Sequence, residues 1–537
     1  MNLLHLPQVR VTAILLLLAG LIGLVWAPNP LTAASPTELR SIPSIPLTDV
    51  NPVGANFFLD REVEPWKKEQ TVRMAKEAGI GWMKQIFAWE EIEPRKNYFF
   101  DDKFRKSTWE KYDQIVDLAQ QHGVRIIARL DRPPAWARPE GSPETAPPTR
   151  FEDYGDFVRA LVDRYKGRVQ FLQIWNEPNL AVEWTGRPDA PGYARLLQIA
   201  YEQAKAADPN VVVLSAPLAQ TLEESAFNLN ELKYLDALYK AGAGRYFDAI
   251  SANAYGFDLP PDATPNATAL NFGRLQLLRE VMERNGDKDK PIWFNEFGWN
   301  ASPESMSPEK LIWRRVSEEQ QAQYTADAIA LTRKWGWVGT LNIWYFRQVG
   351  DFSIERSDYF FRMVDTDFTP RPVYDRVRAA YDRLAVATPG EYEELATPVD
   401  ARGPWQLANK PGASGGRVLQ TTGDGATLSI RFNGTGIGLI MPPPAEPVRL
   451  LVRVDGAQSA VDIPAGGGEF VLAPLVKGLR PGEHTISLER VSGPAWGFDR
   501  VAVEMKPDFG PFFMFAGVAL VGGLLMAASY MQNTGKH

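Results

Sequence analysis

The sequence predicts an α/β chain: a (β/α)8 barrel, then a small all-β sandwich, with an apolar membrane segment at each terminus. Three observations predict it. Short apolar runs alternate with amphipathic segments from residue 48 to residue 388. Beyond residue 404 the helical patterns give way to alternating segments punctuated by turn signals. Uncharged apolar stretches occupy residues 11–27 and 511–530.

The barrel is read from eight strand candidates, short and often β-branched, that recur after Gly or Pro. They are Val53–Leu59, Trp82–Ala88, Val124–Leu130, Val169–Trp175, Val211–Ala216, Phe247–Ala254, Pro291–Phe297 and Val338–Tyr345. Amphipathic segments such as Trp109–Gln120, Phe151–Tyr165, Tyr193–Ala207, Asn271–Arg284 and Glu318–Lys334 lie between them. Eight strand–helix units over residues 48–388 describe a closed barrel with some long loops. A doubly wound open sheet would place a Gly-rich phosphate loop after the first strand, and none is there. The Gly434-Thr435-Gly436-Ile437-Gly438 run has no helix after it and reads as strand or turn.

Residues 389–404 read as a linker and residues 405–506 as the sandwich. Its strand candidates are Thr427–Phe432, Ile437–Ile440, Arg449–Val454, Glu469–Leu472, Thr485–Arg490 and Val501–Glu504. Asn433-Gly434, Asp455-Gly456 and Arg480-Pro481-Gly482 supply the turns. Residues 1–35 form either a signal peptide, cut near Thr32-Ala33-Ala34, or an uncleaved anchor. Residues 511–530 read as a C-terminal transmembrane helix. Arg10 precedes the first span and Lys536 follows the last. The positive-inside rule then puts both tips in the cytoplasm and the region between them outside the cell membrane.

Composition narrows the chemistry. A formal net charge of −7 offers no basic surface for nucleic acid. No cysteine is present, so disulfides, thiol nucleophiles and thiolate metal sites are excluded. Of the four histidines only His122 lies in the barrel region, at the end of a helix. A Ser-His-Asp triad or a histidine metal centre is therefore excluded there, and neither metal nor cofactor is expected. Proton transfer falls to carboxylates, Tyr or Lys.

In such a barrel the reactive side chains stand at the C-terminal ends of strands. The fourth strand runs into Trp175-Asn176-Glu177-Pro178 and the seventh into Asn295-Glu296-Phe297-Gly298. A carboxylate directly after a buried apolar run is costly without partners. Two of them, from nearly opposite sides of one barrel mouth, form the pair that glycosidic cleavage needs: one acid, one nucleophile. The rival for each glutamate alone is a rim salt bridge.

These motifs resemble glycoside hydrolase clan A, with Asn-Glu ending strand four and Glu ending strand seven. The chain looks most similar to family 39 and neighbouring cellulase-like families. Trp89-Glu90-Glu91-Ile92-Glu93-Pro94 and Leu130-Asp131-Arg132-Pro133-Pro134-Ala135-Trp136 are further resembling stretches. The resemblance implies a retaining glycosidase with Glu177 as acid/base and Glu296 as nucleophile, acting on a β-linked poly- or oligosaccharide. By the same resemblance Asn176 binds the sugar 2-hydroxyl, Lys84 replaces a strand-two arginine, Tyr255 orients the nucleophile, and Trp344 floors the cleavage subsite. Asp131 joins this set at the end of strand three. Asn253 departs from the pattern, standing where several families carry histidine in the nucleophile's hydrogen-bond set. Trp89, Trp136, Trp184, Trp299 and Trp344 fall at strand ends or in the following loops, where flat rings suit pyranose C–H faces. A transglycosylase would use the same residues. An inactive carbohydrate-binding protein would have lost a carboxylate.

Overall fold

Runs of β-branched and aromatic residues with both faces buried build the central sheet of the computed structural model, which describes residues 7–26, 45–350, 353–506 and 509–534. The strands are β1 (Val53–Phe57), β2 (Trp82–Ala88), β3 (Arg125–Asp131) and β4 (Phe171–Ile174). They continue as β5 (Val212–Leu214), β6 (Ile250–Tyr255), β7 (Ile292–Gly298) and β8 (Val338–Ile343). All ladders are parallel, in the order β5-β4-β3-β2-β1-β8-β7-β6. A parallel bridge from Leu214 to Ala249 joins the two edges and closes the barrel. Each strand is followed by a helix, from Pro65–Glu77 after β1 to Pro372–Leu384 after β8. Local chemistry sets their ends. Glu318–Trp335, for example, starts on a reciprocal Ser317–Gln320 capping box and stops at Gly336, φ 69°.

The β-rich region has two sheets, and its core is continuous with the N-terminal end of the barrel. The long strands Thr427–Met441 and Val471–Ser492 pair antiparallel at the centre of the larger sheet. Trp405–Asn409, Arg417–Thr421 and Gly497–Phe498 make the smaller one. Asp455-Gly456 is a two-residue hairpin turn with both φ positive, 49° and 86°. Asn433-Gly434 is not a turn. The strand runs straight through it, with a bulge between Gly434 and Gly436. The Arg480-Pro481-Gly482 signal likewise lies inside the strand Val471–Ser492.

The expected linker at 389–404 is also corrected. Gly390–Glu393 pairs with Arg500–Glu504, and Val399–Arg402 pairs with Thr427–Ile430, so the segment belongs to the sandwich. Its strands are four residues each, between prolines, too short to show an alternating pattern.

The sandwich seals the N-terminal end of the barrel. Trp82, Phe171 and Trp293 plug that end, with the Trp82 and Trp293 ring centroids 5.0 Å apart, and share a core with Leu407 and Leu419. The Gln170 side chain makes two hydrogen bonds, both 3.1 Å, to the Leu407 backbone. The sandwich thus lies opposite the mouth where Glu177 and Glu296 emerge. At the termini, helices Pro7–Trp26 and Gly510–Thr534 pack against each other. The Thr32-Ala33-Ala34 stretch lies outside the described residues.

Candidate active site

Glu177 reaches the mouth through strained backbone. After β4, Trp175 takes φ 73° and Glu177 φ 38°, the left-handed region that ordinary side chains avoid. The Glu177 N–H donates to the Pro217 carbonyl at 3.0 Å, which fixes the turn. Glu296 sits inside β7. The register slips there, Ala252 facing Phe294 while Asn253 faces Glu296. This bulge turns two consecutive side chains, Asn295 and Glu296, toward β6.

β6 then ties the two glutamates together. Asn253 Nδ2 donates to Glu177 Oε1 at 2.5 Å, and Tyr255 Oη donates to Glu296 Oε2 at 2.7 Å. Residues two apart on a strand share one face, so both carboxyls lean on the same side of β6. Lys84 Nζ, from β2, lies 3.2 Å from Glu296 Oε1. Asn295 Nδ2 donates to Asn253 Oδ1 at 2.7 Å and sets which end of that amide faces Glu177.

The electrostatics separate the pair. Burial, then the facing Glu296 and Glu183 carboxylates, raise Glu177 to about 8 against the opposing pull of Arg129 and Asn253. Burial lowers Lys84 to about 8, partly offset by Glu296. Tyr255 is held well above its ordinary value by burial and Glu296, so its phenol stays a donor. At neutral pH Glu177 carries a proton while Glu296 faces one cation and one hydroxyl.

A polar corner lies beside the pair. Arg129 Nε donates to Asp131 Oδ2 at 2.5 Å, and its guanidinium stands 4.0 Å from Glu183. The Asn176 amide lies in hydrogen-bonding reach of Glu183, which leaves Asn176 Oδ1 buried with no partner. Asp131 Oδ1 is buried and unpartnered too. Two buried acceptors without partners at such a site call for hydroxyl donors.

The chain has no matching family model, and no curated protein matches it. Solved structures do. A family 39 glycoside hydrolase from the gut symbiont Bacteroides cellulosilyticus aligns at 18% identity and TM-score 0.48, over 84% of this chain and 83% of that one. A β-xylosidase from Caulobacter crescentus aligns at 15% and 0.46, over 84% and 98%. An α-L-arabinofuranosidase from Thermotoga maritima aligns at 11% and 0.43, over 83% and 98%.

The tryptophans divide. Trp344 is half-buried and meets Phe58 edge-on, 5.8 Å away, in an aromatic group with Tyr255. Trp89, Trp184 and Trp299 are core residues instead. Trp89 Nε1 donates to Glu93 at 2.6 Å and its ring stacks on Phe157. Trp184 packs on Trp175 and Tyr193. Trp299 donates to the Leu259 carbonyl at 2.7 Å, stacks on Phe272, and presses on Gly256, leaving no room for a Cβ there. Trp136 is half-buried, but its N–H is taken by the Glu93 carbonyl at 2.9 Å. These rings extend the barrel's core outward beneath the loops that follow the strands.

Asn253, where the resemblance departs, bonds Glu177 rather than Glu296. Sequence reasoning missed Trp313, whose ring lies 4.5 Å from that of Tyr255, and also Arg129, Glu183 and Asn295. The apolar run Leu311-Ile312-Trp313 inside the long β7 loop was the available signal for Trp313. Among the described residues, Glu393, Glu394 and Asp499 could hold a metal ion, their carboxylate oxygens lying within 4.8 Å of one another. They sit in the sandwich, away from the barrel mouth.

Proposed function

We propose that this chain is a retaining glycoside hydrolase, held at a membrane with its barrel on the extracytoplasmic side, that cleaves a β-linked poly- or oligosaccharide. The observation that carries the reading is the unequal setting of two glutamates on one face of β6: a buried Glu177 against the Asn253 amide, where burial favours the protonated form, and a Glu296 flanked by Lys84 and Tyr255.

Protonated Glu177 gives its proton to the leaving glycosidic oxygen while Glu296 attacks the anomeric carbon, and the aglycone departs as an alcohol. In the second half Glu177, now a carboxylate, takes a proton from water. The resulting hydroxide displaces Glu296, and Glu177 is protonated again. Lys84 and Tyr255 position the nucleophile. Asp131 and Asn176 offer their open oxygens to sugar hydroxyls, and Trp344 with Trp313 lines the ring's apolar face. The C-terminal helix spans 22 apolar residues, about 33 Å at 1.5 Å per residue, enough to cross a bilayer.

The test is turnover of aryl glycosides and soluble polysaccharides by the detergent-solubilised full chain, with Glu177→Ala alongside. Azide restores that variant on substrates with activated leaving groups, giving glycosyl azide of retained configuration. Absence of rescue, or an inverted product, overturns the assignment.

A further inference from the structure

We infer that the N-terminal helix Pro7–Trp26 is retained in the mature protein and forms, with the C-terminal helix, an antiparallel two-helix membrane hairpin. This rests on the membrane reading above. A signal peptide requires a short apolar run and has no need of a surface matched to a helix at the other end of the chain. Here such a surface exists on both helices.

The contacts run in opposite order along the two helices. Gly23 meets the Phe515 ring, Gly20 meets the Ala519 backbone, Leu17 meets Gly522, and Arg10 Nε donates to Ser529 Oγ at 2.8 Å. A Cβ on Gly522 would stand 2.5 Å from the Leu17 nitrogen, and one on Gly20 would overlap Ala519. Glycine is thus required from each side for the backbones to approach this closely. Ala13, Gly20 and Gly23 on one helix, and Ala519, Gly522 and Ser529 on the other, are buried at three- and seven-residue steps. The opposite faces, including Leu18, Ile22, Leu520 and Leu524, are exposed and apolar.

Lipid changes what this pattern means. Apolar side chains gain nothing there by leaving one hydrocarbon for another, so spans associate through close packing of small residues and interhelical hydrogen bonds. Both devices are present. The apolar stretch Arg10–Val25 is shorter than the C-terminal span, rising about 24 Å against a hydrocarbon core of about 30 Å, a mismatch that packing against the longer helix offsets. The chain leaves the pair toward the barrel from Trp26 and returns from the sandwich at Gly510, at the same end of the hairpin. Arg10 lies at the other end, the cytoplasmic one by the charge rule. Both ends of the extracytoplasmic body are thereby fixed at one point of the membrane.

The cysteine-free chain makes a clean test. The full-length protein is expressed in membranes with a protease site inserted after Ser35. One double variant places cysteines on the contact stripe, Gly23→Cys with Phe515→Cys, where loss of the ring makes room for the bridge. A second places them on outer faces, Leu18→Cys with Leu524→Cys, positions 49% and 60% exposed. After oxidation and cleavage, the inner pair retains the N-terminal fragment on a non-reducing gel and the outer pair loses it. Adding Gly20→Leu abolishes the inner crosslink with glycosidase activity unchanged. An intact mass lacking the N-terminal helix overturns the hairpin, as does equal crosslinking of both pairs or none in either, while the protein still needs detergent for extraction. Release by alkaline carbonate without detergent overturns the membrane reading itself.

Discussion

Replacing Asn253 by leucine removes the amide that donates to Glu177 Oε1 at 2.5 Å and keeps the volume that excludes water. The donor favours the ionised carboxyl, so its loss favours the protonated one. Glu177 already stands at about 8, through burial and the charges of Glu296 and Glu183. A hydrogen bond to a charged group contributes about 1.5–3 kcal/mol. At 1.36 kcal/mol per pH unit that is about one to two units upward. The assay is kcat/KM against pH on a substrate with a poor leaving group, whose departure needs the proton; this ratio reports the free enzyme's groups. In a Lys84→Arg background, whose cation does not titrate in this range, activity falls through an alkaline limb near 8, and Asn253→Leu moves that limb to about 9–10. Glu177→Gln shows no such limb. An unmoved limb, or one displaced downward, refutes the claim that Asn253 tunes the acid.

Other consequences are equally direct. Tyr255→Phe deletes the 2.7 Å bond to Glu296, and steady-state kinetics show kcat lower by about 10- to 150-fold. Lys84→Met leaves Glu296 without its buried cation, which costs about 3–5 kcal/mol in urea unfolding. Trp299→Ala opens a hole in the core and costs about 3–5 kcal/mol of stability, whereas Trp313→Ala leaves the unfolding midpoint in place and raises KM roughly five-fold. In the sandwich, burial holds Glu393 at about 7 and Glu394 well above the ordinary range. Their contribution to stability is therefore present below the ordinary carboxylate value and lost as pH rises through about 7; Tm falls between about pH 5 and pH 8, and Glu394→Gln flattens the fall.

The eight strands were legible because burial on both faces leaves short runs rich in apolar residues, and Glu177 and Glu296 were legible because each follows such a run. The roles of the tryptophans were not. Trp299 and Trp344 both follow a strand, but one turns into a loop core and the other toward the mouth, a choice made by loop residues such as Phe272 and Gly256. The partner of Asn253 depends on the register slip at Asn295, which no local pattern announces. The acceptors at Asp131 and Asn176 become visible only when Arg129 and Glu183 arrive from other elements. The short strands at 390–393 and 399–402 hide between prolines and read as a linker.

The central claim is that Glu296 forms a covalent bond to the sugar. Incubation with an activated 2-deoxy-2-fluoro glycoside, followed by proteolysis and mass spectrometry, measures this directly. Glu296 carries the fluoroglycosyl mass in the wild type, and Glu296→Gln acquires no label. A label on Glu177, Glu183 or Asp131, or none on a chain that turns over the parent glycoside, contradicts the account.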